Sequence, residues 1–369
     1  MPESRNNKSV RAATLADVGR AAGVSAMAVS AVLNGAKTTS RISLETRERI
    51  REAAATLCYR PNAAARALAK RRMDTLGVAT VIRDANLSQY FFEVFHGIME
   101  AASRRNQNVT VFAVHDWGRD AERLTEFCDG RIDGLVLIAP KLTREAAKLL
   151  PAHTPFVALH SNEELPNVVN IETDEERGAY DLVGHLIAQG HRRILHFAGP
   201  VHLIGAQRRV RGYRRALASA GIRVQEDLVV SDCLDQASGR EALRLWLRQH
   251  AGRALPEALF CFNDSVAIGC IEALAEIGLH VPGDLSVAGF DDTLAALTTT
   301  PQLTTMHQPL RAMGRCAVET LLARIVQQNG SGRAVSLDPV VFPVELVSRA
   351  SVGPPPVAAR MVPPTRILG

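Results

Sequence analysis

From residue 75 onward the chain alternates between short apolar runs and longer amphipathic stretches. The runs are Leu76–Val81, Val109–Val114, Gly134–Ile138, Phe156–Leu159, Ile194–Ala198, Ala258–Cys261 and Leu285–Phe290. They are apolar throughout instead of alternating, as strands covered on both faces must be. Between them, helical spacing of apolar residues predicts helices over Phe91–Arg105, Glu175–Gln189, Arg209–Ala220, Gly239–Gln249, Asp264–Ile277 and Leu310–Gln327. Strands alternating with helices predict βαβ units and parallel sheets. About 270 residues of this alternation overfill one typical domain, so two lobes are expected. Ligands of open α/β sheets bind at the carboxyl ends of the strands, and two such lobes facing each other would make a cleft there.

The first 60 residues follow another rhythm. Thr14-Leu15-Ala16-Asp17 reads as a capped helix start, with a helix running to Ala22. Gly23 supplies a turn, Ser25 caps a second helix through Leu33, and Ser43 opens a third that ends near Leu57. Three short helices with a tight glycine turn between the first two form the pattern of a helix-turn-helix. Val18, Ala22, Val24, Val29 and Val32 fall at its core positions, while Met27, Ser30, Ala31 and Asn34 lie on the opposite face of the second helix. That face is small, as a helix entering a major groove must be. Residues 61–73 begin with Pro61 and Asn62, which suit a helix start. A nine-residue Ala-rich helix is marginal alone in water, so this hinge is expected to order only against a partner. Residues 1–13 read as a disordered arm. The prolines at 354–356 and 363–364 predict an extended, structureless tail at the C-terminus.

Composition changes the picture at one point. Of 369 residues, 47% are hydrophobic and 22% charged, which suits a globular protein and excludes a fibre or a disordered chain. No run of eighteen apolar residues occurs, so no membrane span is expected. The start is polar and basic with no signal-peptide pattern, which predicts a cytoplasmic protein. The net charge of +5 is unevenly spread. Residues 1–73 carry fourteen Lys and Arg against five Asp and Glu, a net of +9; the remainder carries twenty-nine against thirty-three, a net of −4. A positive module on an acidic body predicts a polyanion partner for the module alone, and this weighs nucleic-acid binding above a plain three-helix bundle. The six cysteines are scattered with no CxxC spacing, so buried reduced thiols are expected in place of a metal site or disulfide framework. Phosphate-loop, dinucleotide, hydrolase-elbow and zinc-protease motifs are missing, so an enzyme, a metal and a cofactor are all unexpected.

TLADVGRAAGVSAMAVSAVLNG, followed by ISLETRERIREAAATLCYRPNAAARALA, resembles the head of a LacI/GalR-family transcription regulator. GHRRILHFAGP (190–200), RRVRGYRRAL (208–217), FNDSVAIG (262–269), VPGDLSVAGFDD (281–292) and PQLTTMHQP (301–309) match further family blocks in order, so the likeness spans nearly the whole chain. The resemblance implies a small all-α helix-turn-helix head (14–60), a hinge (61–73), and an α/β two-lobed body like a periplasmic binding protein, with two parallel-sheet subdomains (74–348). A Pro-rich tail (349–369) follows. It implies a homodimeric, sequence-specific regulator, usually a repressor, that binds double-stranded operator DNA on the bacterial nucleoid. A small polar effector, a sugar or sugar derivative, would sit between the lobes and control operator affinity. A nucleobase or another small metabolite acting as corepressor is the alternative. A two-lobed sugar receptor or enzyme without a DNA role is the reading of a different class, against which the basic head argues.

The resemblance also implies roles. Ala26 and Met27 would meet base edges, and Ser30 and Asn34 phosphates or bases. The chain departs from the family at Ala31, where Arg or His is common. Ala26, Met27 and Ala31 cannot donate hydrogen bonds, so thymine-methyl contact and sparse readout are expected. The 35–41 stretch looks like an insertion, with Lys37 and Arg41 directed to phosphate. In the hinge, Asn62 starts the helix, Leu68 is the wedge between base steps with Ala65 beside it, and Arg66 contacts phosphate. Family effector positions fall on Arg209, Asn263, Asp291 and Asp174, with Phe91 and Phe92 as an aromatic pair and His160 where a charged residue is frequent. An arginine fork, an amide and carboxylates suit a polyhydroxylated or carboxylated ligand. Plainer readings stand beside these. Asn263 or Asp291 would cap a helix, Phe91 or Phe92 would be core, and Arg209, read as lying at a helix start, would pair with an acid of its own lobe.

Overall fold

The computed structural model describes residues 12–34, 41–60, 72–82, 88–330, 334–357 and 360–362. Contacts divide the chain into two units, Met1–Asp74 and Thr75–Gly369. In the first unit the helices are α1 (Leu15–Ala22), α2 (Ala26–Asn34) and α3 (Leu44–Thr56). Thr14 and Asp17 form a capping box: the Thr14 hydroxyl accepts from the Asp17 amide at 3.3 Å, and the Asp17 carboxylate accepts from the Thr14 amide at 2.9 Å. Gly23 ends α1 at φ 67, in the left-handed region that a side chain disfavours. Ser25 and Ser43 accept from the amides of Ala28 and Thr46, each at 3.2 Å. These caps fix where three short helices begin, and Val18, Val29 and Ile50 meet fully buried at their centre. The hinge residues Asn62, Ala65, Arg66 and Leu68, and Lys37, lie outside the described residues.

The second unit holds two six-stranded sheets. The first contains β1 (Thr75–Val81), β2 (Asn108–Val114), β3 (Gly134–Ile138), β4 (Phe156–Leu159), β5 (Val168–Thr173) and β11 (Val340–Phe342), in the order β11-β5-β4-β3-β1-β2, all parallel. The second contains β6 (Ile194–Phe197), β7 (Val229–Val230), β8 (Ala258–Cys261), β9 (Ser286–Asp291), β10 (Thr304–His307) and β12 (Glu345–Val347), in the order β12-β10-β9-β8-β6-β7. Only the β10–β12 pair is antiparallel. Every residue of β3, β4 and β8 is buried, which is why these strands read as unbroken apolar runs.

The helices that position the region between the sheets are α4 (Gln89–Arg104), α7 (Glu175–Ala188), α8 (Ile204–Ser219), α9 (Gln236–Gln249), α10 (Asp264–Glu276) and α12 (Leu310–Gln328). The short α5 (Arg123–Phe127), α6 (Arg144–Ala147) and α11 (Leu294–Thr298) fill loops. The chain crosses between lobes three times: from β5 into α7, from β10 into α12, which packs back on the first sheet, and from β11 to β12. No single helix is long and apolar enough to cross a membrane among the described residues. The thiols are all unpaired; Cys58 is exposed, against the expectation of burial.

Two further expectations change. The helix predicted from Arg209 starts at Ile204, so Arg209 lies in its second turn and not at its amino end. The tail is not structureless where it is described. Ser351 is fully buried and bonds the backbone of Val287 and Thr304; Val362 is 2% exposed and joins the lobe's apolar core. Arg360 pairs with the buried Asp284 at 2.8 Å. Proline prevents helix, but the segment's carbonyls and its apolar end still find partners on the starts of the second sheet's strands.

α4 and α12 lie against each other backbone to backbone. A β-carbon on Gly97 would sit 2.0 Å from the Arg311 carbonyl oxygen, and one on Gly314 would sit 2.2 Å from that of Val94. Gly97→Ala should therefore cost about 1–3 kcal/mol by forcing the helices apart. Urea unfolding checks this: the midpoint should fall with an unchanged slope.

Candidate functional site

Four residues at or just beyond the carboxyl ends of neighbouring strands converge between the lobes: His160 after β4, Thr173 at the end of β5, Asp291 at the end of β9 and Gln308 after β10. His160 and Asp291 have φ of 48° and 116°, a left-handed backbone that costs non-glycine residues energy. Such strain collects where a strand end must aim a side chain. Tyr90, in the first turn of α4, closes the group.

Their hydrogen bonds run in one direction. The Gln308 amide donates to Asp291 Oδ1 at 2.7 Å. The Thr173 hydroxyl donates to Gln308 Oε1 at 2.6 Å. Having given its proton, the Thr173 oxygen is the acceptor toward His160 Nε2 at 3.2 Å. His160 is thereby fixed as the Nε2–H tautomer, and its bare Nδ1 accepts from the Tyr90 hydroxyl at 2.6 Å. Burial holds the imidazole below its ordinary value, so it stays neutral, as this pattern requires. Burial also raises the Tyr90 phenol, with the Asp291 and Glu175 carboxylates adding to the effect. The chain links Tyr90 and His160 in one lobe to Gln308 and Asp291 at the other. Asp174 N also donates to the Phe342 carbonyl at 3.1 Å, which ties the first and third crossings.

Arg209 reaches the same place from α8. It is 4% exposed; Nη2 bonds Glu175 Oε1 at 3.0 Å and Nη1 bonds the Phe262 carbonyl. Its guanidinium carbon lies 3.8 Å from the centroid of the Phe290 ring and 4.5 Å from that of Phe262. Burial pushes the Asp291 carboxyl up to about 8, with Asp264 and Glu175 adding and Arg209 and Gln308 opposing. Burial likewise pushes Asp264, whose oxygens accept from Thr293 and Thr305, up to about 6. At neutral pH the cleft thus presents a protonated acid at Asp291, both donor and acceptor.

Of the residues singled out from sequence, the structure brings His160, Arg209 and Asp291 together. It does not bring in the others. Phe91 is core, stacked on Phe95 at 5.3 Å and packed with Leu76 and Val94. Phe92 is 50% exposed and lines an outer surface with Phe95, His96 and Met99. Asp174 is exposed and caps α7 through the Arg177 amide at 3.1 Å. Asn263 caps α10 through the Val266 amide at 2.9 Å and donates to the Leu234 carbonyl. Sequence reasoning misses Tyr90, Thr173 and Gln308. Tyr90 adjoins the two phenylalanines, and its one signal is the Ser88 cap two residues before it, which turns the helix's first residues toward the strand ends.

In the first unit, Ala26 and Met27 open α2 on its exposed face, Met27 at 71% exposure. Ser30 and Asn34 follow one and two turns on, with Asn34 Nδ2 at 3.4 Å from the Ser30 hydroxyl. The face is small and apolar at its head, with no acidic residue in its first turn. No group of three or more His, Cys, Asp or Glu able to hold a metal occurs among the described residues.

Residues 14–62 match the family described as bacterial regulatory proteins, lacI family, and residues 183–352 match a periplasmic binding protein-like domain. The HTH-type transcriptional repressor PurR of Aliivibrio fischeri is 33% identical over 92% of this chain and 98% of its own length. The repressor of the same name from Photobacterium profundum is 32% identical over the same shares. Among solved structures, the lac repressor dimer bound to operator and the anti-inducer ONPF aligns with TM-score 0.77 and 30% identity, over 92% of this chain and 99% of that one. The CelR–cellobiose complex aligns with TM-score 0.68 and 28% identity, over 92% and 100%.

The proton on Asp291 has a consequence for stability. The folded chain holds it up to about pH 8, whereas an unfolded chain releases it near 3.8. The folded state therefore binds more protons between these values, and wild-type stability falls as pH rises through this window. Asp291→Asn keeps the acceptor for Gln308 and removes the titration. The variant should gain on the wild type by on the order of 2–4 kcal/mol between pH 4 and pH 8. Urea unfolding across that range checks it; a constant difference would mean that Asp291 is ionised in the fold.

Proposed function

The chain belongs to the lacI family of bacterial regulatory proteins, DNA-binding transcriptional repressors and not enzymes, and from that premise we propose that its operator affinity is set by a small polar effector held between the two lobes at Tyr90, His160, Arg209 and Asp291. The observation that carries this reading is the directed hydrogen-bond chain from Tyr90 to Asp291, which spans the lobes and stops at two groups able to meet a ligand. A sugar or sugar derivative is the first reading, supported by a solved relative that holds cellobiose. A nucleobase or other small metabolite acting as corepressor is the second. The protonated Asp291 favours it, because donor and acceptor side by side match the edge of a heterocycle. Either ligand would bias lobe orientation, and the hinge pair would carry that bias to DNA.

At the DNA end, Ala26 and Met27 would touch base edges, and Ser30 and Asn34 bases or phosphates. The hinge residues Asn62, Ala65, Arg66 and Leu68 would enter the minor groove with Leu68 as wedge. The head's net +9 supplies the non-specific attraction. Two copies are needed to pair the hinges. The outer face of α4 suits their contact: Phe92 and Met99, 50% and 44% exposed, are flanked by the Glu93–Arg311 and Glu100–Arg315 ion pairs. An apolar centre with a charged rim is interface anatomy. A single-chain mass in sedimentation at micromolar concentration would contradict the dimer.

Binding to genomic fragments identifies the operator, and Met27→Ala then separates readout from attraction. The variant should bind the operator about tenfold more weakly, and random DNA with unchanged affinity and salt slope. Equal losses on both would remove Met27 from base contact.

A further inference from the structure

The charges around Arg209 restrict what the cleft accepts; the restriction rests on the effector reading above. Arg209 has the form of an anion receptor, yet its charge is already met. Glu175 Oε1 stands 3.0 Å from Nη2, and the Phe262 carbonyl takes Nη1. Glu175 begins α7 and Arg209 lies on α8, in the same lobe, so parting the lobes leaves the pair intact. Arg208 is likewise held, by Glu172 at 3.0 Å and Glu175 at 3.9 Å. A further acid, Asp291 at the end of β9, is close enough to Arg209 for their charges to interact, and Asp264 at the start of α10 acts on Asp291 while accepting from Thr293 and Thr305. Glu172, Glu175, Asp264 and Asp291 are 8%, 4%, 1% and 6% exposed. Glu172 and Glu175 therefore pair both guanidinium groups, with the buried Asp291 beside Arg209. Arg209 Nε is buried without a hydrogen-bond partner. A single N–H fits one hydroxyl or carbonyl oxygen, whereas a carboxylate or phosphate is best held by a two-pronged fork.

We propose that the effector carries no negative charge, and that Glu175, by occupying Arg209, is the residue that excludes sugar acids, sugar phosphates and nucleotides in favour of uncharged polar molecules. An anion entering here would lose its hydration beside the Glu172 and Glu175 carboxylates and meet cations that already have partners. A neutral hydroxyl or lactam loses far less and finds Arg209 Nε, the Tyr90 hydroxyl and Asp291. The carboxylated ligands that an arginine fork first suggested are thereby set aside.

Calorimetric titration of the full chain with matched pairs tests this: glucose and glucuronate, ribose and ribose 5-phosphate, hypoxanthine and inosine monophosphate, with inorganic phosphate as the bare anion. In any pair that binds, the neutral member should win by about tenfold or more. Glu175→Gln keeps the shape and removes the charge, and should raise affinity for phosphate about tenfold or more over wild type. A wild type that prefers an anionic member overturns the proposal, and so does a Glu175→Gln variant that gains nothing toward phosphate. If that variant does not fold, Glu172→Gln removes the acid that holds Arg208 at 3.0 Å and should show the same gain; none would overturn the proposal as well. A neutral ligand bound equally well by wild type and Asp291→Asn would instead place the fault with the cleft reading.

Discussion

Thr173 and Gln308 sit on adjacent crossings between the lobes and share a hydrogen bond of 2.6 Å with no more than 2% of either exposed. A buried donor or acceptor left unmade costs about 1–3 kcal/mol, so the junction tolerates only lobe arrangements that keep both groups supplied. Directionality extends the constraint. Because Thr173 gives its proton to Gln308, it must accept from His160, and His160 must then accept from Tyr90. In the middle, Thr173 and His160 each use a donor and an acceptor within the chain. Only its ends, a phenol in one lobe and a protonated carboxyl in the other, remain chemically able to answer a ligand. A ligand that binds both ends selects a spacing between the lobes, and this is what a regulator must convert into a change at its hinges.

The division of apolar and polar burial makes this workable. The first sheet lies between a cluster built around α4 and α12 and another built around Trp117, Phe112 and Phe127. The second lies between a cluster on α7 and α8 and another on α9 and α10. Each lobe is thus closed on both faces by its own core. What crosses between lobes is polar: Thr173 to Gln308, Glu172 to Arg208, and the Ile204 amide to Asn162 at 3.1 Å. Polar contacts of this kind exchange for water or ligand at small net cost, whereas an apolar interface between lobes would resist opening.

Much of the fold is legible in the sequence because burial on both faces leaves an unbroken apolar run. The runs predicted for β3, β4 and β8 match those strands to the residue for that reason. Of the five strands that the pattern misses, β7, β11 and β12 are only two or three residues long, and β5 as VVNIET and β10 as TTMH carry polar residues because their ends build the cleft and its flank. The apolar spacing starts α8 five residues late because its first turn, Ile204 to Gln207, holds a glycine and has no side-chain cap to mark the start. At the site, the family resemblance points at His160, Arg209 and Asp291, which the fold brings together. It does not single out Thr173, or Gln308 within the block 301–309, because their part depends on two crossings meeting in space. Nor does it show that Arg209 is already paired, since Glu175 lies 34 residues away and nothing in spacing connects them.

The most direct measurement is a double-mutant cycle on unfolding free energy with Thr173→Val, Gln308→Leu and the pair. Each single change leaves a buried polar partner unmet, and the pair removes both. Coupling of about 1 kcal/mol or more is predicted, with the double variant less destabilised than the sum of the singles. Additivity within about 0.5 kcal/mol would show that the two residues are independent and that the bond between them does not hold the lobes.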